Sequence, residues 1–264
     1  MSERREAFSV GQRPRLELRL ATGDVRVVPG APGTIEVTIR GSKPEMVIVE
    51  QIGDKVVIRQ ETGRWSAGAF DMTVRAPAGI DLEASLASTD LTIEVDVTDL
   101  QVSVASGDVR ARRIGGDVNV KSASGDVEID EVAGRLRATS ASGDVTVGVI
   151  AGDATCSTAS GEVVVGLAKG DMAAKSASGD VHIDEFCGRD LRGKTVSGDL
   201  RVGMARGQRV DVDLQTLTGN LRLPSNPSPV DARDKPAIRI SFKSVSGDFE
   251  LVETVRQRRE LEPG

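Results

Sequence analysis

Residues 105–176 read ASGDVRARRIGGDVNVKS, ASGDVEIDEVAGRLRATS, ASGDVTVGVIAGDATCST and ASGEVVVGLAKGDMAAKS when they are divided into lines of 18 residues. Ser-Gly-Asp-Val, or Ser-Gly-Glu-Val in one copy, begins at the second position of each line, and a fifth copy begins at Ser178. A short fixed period indicates one structural unit that is stacked on copies of itself. The repeat therefore predicts the architecture before any other feature is considered.

Each 18-residue unit contains two segments in which apolar and polar residues alternate. Val127 and Ile129 flank Glu128, and Leu136 and Ala138 follow after a second turn. A period of two residues is typical of β-strands. Strands this short become stable when each one pairs with its equivalent one coil away, at about 4.8 Å along the axis. The predicted fold class is all-β, a single-chain parallel β-solenoid (β-helix) with 18-residue coils.

The turn residues of the motif have local explanations. Glycine tolerates a positive φ, so we expect that conformation at the glycine of each Ser-Gly-Asp turn. The Ser or Thr of the motif can form hydrogen bonds with nearby backbone groups. A second column of small hydroxyl residues, two positions before each motif, indicates a tight corner. Its members are Ser122, Ser140, Thr158, Ser176 and Thr195.

The period lengthens toward the C-terminus. Steps of 19, 21 and 28 residues lead to motifs at Ser197, Thr218 and Ser246. The residues expected to point inward become larger in the order Val181, Leu200, Leu221 and Phe249. The sequence therefore predicts C-terminal coils that are widened and capped. We expect Phe242, Phe249 and Leu251 to close the core there, because an open end would expose strand edges.

The pattern divides the chain into four parts. Residues 1–13 are predicted to be a flexible N-terminus, and residues 14–87 an irregular N-terminal β cap in which the 18-residue period is lost. The regular solenoid is predicted over residues 88–252, with a Pro-rich loop at 224–236, and a flexible tail over residues 253–264.

Composition limits the classes of partner and location. The net charge is −6 and the chain has no Tyr and one Trp, which disfavours nucleic acid as a partner. The sequence shows no signal peptide and no apolar stretch long enough for a transmembrane segment, so we expect a cytoplasmic protein. Cys156 and Cys187 match no metal or redox spacing. Cys156 is expected to be buried, and Cys187 to be a free thiol at a turn.

One segment connects the chain to a known family. Residues 74–82, VRAPAGIDL, followed by the repeated Ser-Gly-Asp-Val, resemble a bacterial β-strand-repeat family whose members are often named "putative adhesins" and are related to the toast-rack domains of unknown function. The resemblance covers roughly residues 15–252. It implies a β-repeat fold and offers no catalytic residues to carry over. Some relatives are fused to membrane segments or linked to envelope-stress systems.

The acidic residue of the motif recurs in every coil and forms the main candidate site. We name this column the acidic ladder, and its candidate cation-binding members are Asp108, Asp126, Asp144, Glu162, Asp180 and Asp199. Carboxylates stacked at one coil spacing would repel one another, and a hard cation such as Ca²⁺ could bridge them. The alternative is that each carboxylate caps its own turn and faces water. The calcium-binding β-roll motif itself is not present, so no confident metal site is predicted.

A second group of candidates concerns partner binding. The outward basic residues of the second strand of each unit are Lys121, Arg137, Lys175, Arg192 and Lys194. They could contact an anionic polymer or lipid head groups, or they could form an ordinary solvated face. Trp65 lies in a Gly-rich segment and either covers the core or anchors a partner.

The leading hypothesis from the sequence is a non-enzymatic scaffold or interaction module that binds an unknown protein or itself. The first alternative is a cation- or glycan-binding, adhesin-like module that uses the acidic ladder. The second is a carbohydrate-active β-helix enzyme, which would need a distinct carboxylate pair. The lone His182 lies at an outward position without a second ligand candidate. No catalytic residue and no cofactor are therefore predicted.

Overall fold

The chain folds as the predicted all-β solenoid. The computed structural model describes residues 2–60, 70–223 and 237–254, which form strands joined by tight turns and one 3-10 turn at Pro44–Met46. The predicted β-solenoid is confirmed. Trp65 and the Pro-rich loop at 224–236 lie outside the described residues.

Two columns of parallel strands build the regular part of the solenoid. The even column contains β8 (Val97–Val104), β10 (Val118–Ser122), β12 (Leu136–Ser140), β14 (Ala154–Thr158), β16 (Met172–Ser176) and β18 (Asp190–Lys194). The odd column contains β9 (Val109–Ile114), β11 (Val127–Val132), β13 (Val145–Ile150), β15 (Val163–Ala168), β17 (Val181–Phe186) and β19 (Leu200–Ala205). Equivalent residues of successive coils lie side by side, as Val127 does with Val145. The long strand β7 (Ile80–Ile93) pairs with both β8 and β9 and so begins both columns.

The core is a narrow interior of stacked aliphatic side chains. The two columns direct alternate residues inward, and the residues predicted to point inward in the regular coils are buried. They are Val109, Ala111, Val118, Val120, Val127, Ile129, Leu136, Ala138, Val145, Val147, Ala154, Cys156, Val163, Val165, Met172, Ala174, Val181 and Ile183. Burial of this apolar surface provides the main stabilisation of the fold.

The N-terminal end is closed by strands that change direction. The strands there are β1 (Ser2–Ser9), β2 (Arg15–Pro29), β3 (Thr34–Gly41), β4 (Val47–Ile52), β5 (Lys55–Gln60) and β6 (Asp71–Ala76). The long strand β2 lies between β7 on one side and β5 and β6 on the other, all in parallel. Antiparallel strands then finish both columns, with β4 on β5 and β3 on β6.

The first residues of the chain differ from the expectation. Residues 2–9, predicted to be flexible, form strand β1, which pairs antiparallel with β3 along its whole length. The reason is visible in the side chains: Phe8 packs against the core, and Arg40 of β3 forms an ion pair with Glu3. Because residues 2–6 are mostly charged, the sequence did not indicate a strand there. Pairing with β3 stabilises this strand.

The C-terminal coils do not follow sequence order. The last strands are β20 (Val210–Thr216), β21 (Leu221–Arg222), β22 (Ile238–Ser244) and β23 (Phe249–Thr254). Strand β22 lies between β18 and β20, and β23 lies between β19 and β21. The final coil in sequence is therefore inserted one coil before the end. Residues 253 and 254, assigned to the tail from sequence, belong to β23.

The size of the aromatic residues explains this insertion. Phe242 and Phe249 are buried, and their ring centroids lie 5.7 Å apart. Gly193 on the preceding coil leaves the space that the Phe242 ring occupies, because a Cβ at this position would meet that ring. Large rings are stable where coils cover them on both sides, and a terminal coil would leave one side open.

Two predictions about the C-terminal end are therefore wrong. Phe242 and Phe249 do not close the solenoid, because the coil of β20 and β21 lies beyond them. Leu221, predicted to point into a widened core, is 52% exposed. It occupies the outermost coil, where no described strand covers it.

Candidate functional site

The acidic ladder links successive coils through the backbone. The N–H of Asp144 donates a hydrogen bond of 2.9 Å to Oδ1 of Asp126, its equivalent one coil earlier. Glu162 donates in the same way to Asp144 at 2.8 Å. The same bond joins Asp108 to Asp90, Asp126 to Asp108, Asp199 to Asp180 and Asp248 to Asp199. Each aspartate thus caps the turn of the next coil. The alternative considered from the sequence was that it caps its own turn.

Two positions of the ladder differ from aspartate and show how this geometry depends on the side chain. Glu162 is one methylene longer than aspartate and accepts no bond from Asp180 within the described residues. At the last coil Asn220 replaces the aspartate. It donates its backbone N–H at 2.7 Å and its side-chain amide to Asp248. The backbone hydrogen bond from Asn220 is the main reason that the pKa of Asp248 lies below its ordinary value.

This arrangement limits what the acidic ladder can do chemically. One oxygen of each aspartate accepts a backbone N–H, and the second oxygen is also used in Asp108, by Arg110, and in Asp248, by the Asn220 side chain. Within the described ranges, no group of three or more His, Cys, Asp or Glu side chains is placed to hold a metal ion. Cation binding by Asp108, Asp126, Asp144, Glu162, Asp180 and Asp199 stays a prediction. The structure shows a structural use for most of the ladder.

The glycine of the motif has a different role from the predicted one. Among the residues that the structure describes, the glycines with positive φ are Gly23, Gly33, Gly53, Gly79 and Gly207, and none belongs to the regular Ser-Gly-Asp turns. The expectation of positive φ in those turns is wrong. A Cβ added to Gly125 or Gly143 would instead overlap the carbonyl oxygen of the equivalent glycine one coil earlier. Glycine is required because the turns stack too closely for a side chain.

The buried hydroxyl column closes the same corner. The N–H of Gly179 donates to Ser176 Oγ at 2.7 Å, and the N–H of Gly198 donates to Thr195 Oγ1 at 2.7 Å. Ser122 donates in the opposite sense, to the carbonyl oxygen of Gly125 at 2.6 Å. A buried polar group would be unfavourable without such partners. The tight corner predicted from these small residues is therefore a hydrogen-bonded turn at Ser122, Thr158, Ser176 and Thr195, whereas Ser140 Oγ has no partner among the described residues.

A second carboxylate ladder, which was not predicted from the sequence, lies at the opposite corner. The N–H of Asp117 donates to Asp99 Oδ1 at 2.8 Å, and the N–H of Asp171 donates to Asp153 Oδ1 at 3.0 Å. Between them, Arg135 donates its backbone N–H and its guanidinium to Asp117. The guanidinium is the main cause of the lowered pKa of Asp117. The signal was available, because aspartates 117, 153 and 171 each follow a glycine at multiples of the repeat.

A polar groove runs beside this second ladder. It has a volume of about 560 Å³, crosses the even column from β7 to β14 and is bordered beyond β7 by Arg15 of β2 and Lys55 of β5. One outward side chain from each strand forms its floor, in the order Glu83, Gln101, Asn119, Arg137 and Thr155. The corner residues form one wall, in the order Asp81, Asp99, Asp117, Arg135 and Asp153. Arg137 is the only one of the five predicted basic residues among the residues that line this groove.

The predicted basic residues form two rows and not one stripe. Lys175 lies beside Lys194, which lies beside Lys243, so three lysines are adjacent on neighbouring strands. Lys121 is in the same row but is separated from them by Thr139 and Ser157. Arg192 belongs to the row of Arg137 and forms an ion pair of 2.8 Å with Asp190. A role of these residues in partner binding stays a prediction.

The remaining reactive side chains are one histidine and two cysteines. His182 contacts Asp184 at 2.8 Å on the outer face of β17. Cys156 is buried, as predicted, and burial raises the pKa of its thiol to about 12. Cys187 is exposed near Glu185. In the part of the chain that the structure describes, no helix has the length and apolar character to cross a membrane.

Known proteins share this architecture. The family model described as Toastrack DUF4097 matches residues 14–252. No curated protein matches the chain. A solved structure described as a "putative adhesin" from Parabacteroides distasonis superposes with a TM-score of 0.51 at 14% identity, covering 95% of this chain and 97% of that one. Another so described, from Parabacteroides merdae, gives a TM-score of 0.50 at 8% identity and covers 96% of each chain. At these identities the similarity establishes the fold alone.

Proposed function

The chain belongs to the Toastrack DUF4097 family, and on that premise we propose that it is a non-enzymatic β-solenoid scaffold that associates with a second copy of itself through its C-terminal end. The observation that carries the proposal is the open coil of β20 and β21. Strand β20 pairs only with β22 and strand β21 only with β23 among the described strands. Their outer edges present backbone N–H and C=O groups that can pair with another strand.

The side chains of this end are apolar as well as unpaired. Leu217 is 82% exposed, and Leu221 and Leu223 are about half exposed. Val212 and Leu214 point toward the core from β20 but are only partly buried, because the coil has one covered face. Exposed aliphatic side chains next to free strand edges favour contact with another protein surface.

The opposite end is built differently. Strand β1 is the outer strand of one column and carries Glu3, Arg4, Arg5 and Glu6. Charged side chains on an edge strand disfavour pairing with another chain. Because the C-terminal end exposes three large apolar side chains and the described part of the N-terminal end exposes one, Ile52, two copies are expected to meet end to end by their C-terminal coils. Such a contact uses the same surface on both copies, closes with two-fold symmetry and does not extend into a fibre.

The non-enzymatic part of the proposal rests on how the repeated acidic residues are used. In the acidic ladder, each aspartate from Asp108 to Asp144 accepts a backbone hydrogen bond from the next coil. The carboxylates that suggested a cation-binding site therefore support the stacking of coils. A scaffold needs this rigidity, since a solenoid gains its stability from contacts between neighbouring units.

Light scattering with size-exclusion chromatography on the full chain tests the proposal. We expect a dimer whose fraction grows with concentration, and a monomer for the double variant Leu217→Lys and Leu221→Lys. Ile52→Lys is the matched control, since Ile52 is an exposed apolar residue on β4 at the other end. This control is expected to remain dimeric. A wild-type chain that is monomeric at every concentration, or a dimer that only the Ile52 variant breaks, would overturn the proposal.

A further inference from the structure

The polar groove on the even column has features that the scaffold role does not use. Its floor presents one hydrogen-bonding side chain per strand across five adjacent strands, β7, β8, β10, β12 and β14. At about 4.8 Å per strand, the floor extends over about 19 Å. The groove lies far from the free strand edges, in the middle of a sheet whose backbone groups are already paired.

The side chains at the centre of the floor have unused hydrogen-bonding capacity. Gln101, Asn119 and Thr155 form no side-chain hydrogen bond with any described residue. Asn119 Oδ1 is shielded from solvent and has no partner within that part of the chain. A shielded carbonyl oxygen without a donor is unfavourable, and a rotation of the Asn119 side chain that turns this oxygen toward the groove would let a ligand donate to it. An amide offers donors and an acceptor together, so it suits a ligand group that also does both.

The charges of the groove nearly cancel. Five carboxylates and four cationic side chains line it. Several are neutralised locally, since Arg135 pairs with Asp117 at 2.6 Å and Arg15 approaches Asp81 at 3.6 Å. A polyanion would meet the carboxylates of the wall, and a polycation would meet the guanidinium groups of Arg135 and Arg137. The balance favours a neutral ligand.

We propose that the groove binds a neutral glycan chain that lies across the strands. Each hydroxyl of a sugar both donates and accepts, which matches the mixture of carboxylate, amide, guanidinium and hydroxyl groups along the floor. An extended peptide is a poorer match, because peptides add to sheets at free edges and this groove offers none. The site is independent of the proposed dimer contact and lies on a different corner from the acidic ladder.

Calorimetric titration of the full chain with neutral hexasaccharides tests this inference. The probes are β-1,4-linked glucose, α-1,4-linked glucose and β-1,4-linked N-acetylglucosamine, with oligogalacturonate as the acidic comparison. At least one neutral hexasaccharide is expected to bind saturably, and its disaccharide about tenfold more weakly, because fewer strands are engaged. Absence of saturable binding by every neutral probe, or tighter binding of oligogalacturonate, would overturn the proposal.

Variants separate the groove from the rest of the face. Gln101→Ala with Asn119→Ala is expected to weaken binding about tenfold or more, through loss of hydrogen bonds to the sugar. Ser103→Ala with Lys121→Ala is the matched control, since these residues are the next outward positions on the same two strands and lie outside the groove. Thermal melting checks that both variants are folded. Equal affinity of the two double variants would contradict the assignment, whether or not the chain dimerises.

Discussion

The backbone N–H of Asp126 donates a hydrogen bond of 3.1 Å to Oδ1 of Asp108, the equivalent residue 18 positions earlier. This bond connects neighbouring coils at a corner, where the strand ladder is interrupted and backbone donors need other partners. The acceptor is a carboxylate, and hydrogen bonds to charged acceptors are stronger than those to neutral ones. The aspartate of the repeat therefore acts between coils, which explains why it recurs with the period of the coil.

Replacing Asp126 separates this role from a general need for charge. Asp126→Ala removes the acceptor of the Asp144 N–H and is expected to lower the free energy of unfolding by about 1–2 kcal/mol. Asp126→Asn keeps a side-chain oxygen at the same place and is expected to lower the free energy of unfolding by less. Urea unfolding measures both. Glu162→Ala is the control, because Glu162 accepts no such bond in the described chain, and an equal loss there would refute the explanation.

Calcium is expected to leave the melting temperature unchanged. The Oδ1 atoms of Asp126 and Asp144 already accept backbone N–H groups, so binding a cation through both oxygens of a carboxylate would break a link between coils. Thermal melting with millimolar calcium, followed by chelator, measures this. If the melting temperature rises with calcium and the rise is absent in Asp126→Asn with Asp144→Asn, the acidic ladder is a cation site after all.

The glycines of the Ser-Gly-Asp turns give a prediction about the packing of neighbouring coils. Gly143→Ala is expected to lower the free energy of unfolding by about 3 kcal/mol, because its Cβ would overlap the carbonyl oxygen of Gly125 and force the coils apart. Gly115→Ala, at the second turn of another 18-residue unit, is the control. A Cβ there would lie 3.7 Å from the nearest atom, the carbonyl oxygen of Val97, at an ordinary contact distance. Similar losses in the two variants would show that glycine is needed for conformation and not for space.

The sequence predicts the features of this fold that are local and repeated. Alternation identifies the inward residues of every regular coil, and the step of 18 residues predicts the parallel register. The order of the last two coils depends on contacts between residues that are far apart in the sequence. It depends on whether Phe249 or Leu221 lies beside Leu200, and both choices keep the alternating pattern. Packing of the Phe242 and Phe249 rings decides between them, and no spacing in the sequence contains that information.

What the sequence predicts about the candidate sites is limited in the same way. The recurrence of aspartate and glycine predicts that both residues serve the turn, but the partner of each lies one coil away and becomes visible only in the structure. The groove combines residues from five strands that no single motif unites. Strand β1 was missed because its charged residues are paired with a neighbour from another part of the chain. The cytoplasmic location stays a prediction from the sequence.

Stability should depend on acid pH through Glu17. This carboxylate is buried on β2 and forms ion pairs with Lys55 and Arg19. The hydrogen bond from Lys55 is the main reason that its pKa lies below the ordinary value of 4.5. A lowered pKa in the folded state stabilises the fold in full above pH 4.5. This contribution decreases as the pH falls below 4.5, and it is lost once the pH passes the folded pKa.

Glu17→Gln is therefore expected to lower the free energy of unfolding by about 2 kcal/mol at neutral pH, where the charged hydrogen bonds are lost. The difference between wild type and variant should narrow as the pH falls below 4.5. Urea unfolding in steps of pH measures this convergence. Glu83→Gln is the matched control, because Glu83 lies beside Glu17 in the same row without an ion pair among the described residues. A difference that is constant with pH would exclude the charge of Glu17 as its cause.

The two cysteines should report the opening of the core separately. Cys156 lies between Ala138 and Ala174 on neighbouring strands, and burial raises the pKa of its thiol to about 12. Because thiol reagents attack the thiolate, Cys156 is expected to react only when the solenoid unfolds, whereas the exposed Cys187 reacts in the native state. Labelling kinetics of Cys187→Ser and Cys156→Ala assign the slow and fast phases. The slow rate should rise with urea in proportion to the unfolded fraction. A Cys156 thiol that reacts as quickly as Cys187 in the native protein would show that the coils open locally and that the core is not one cooperative unit.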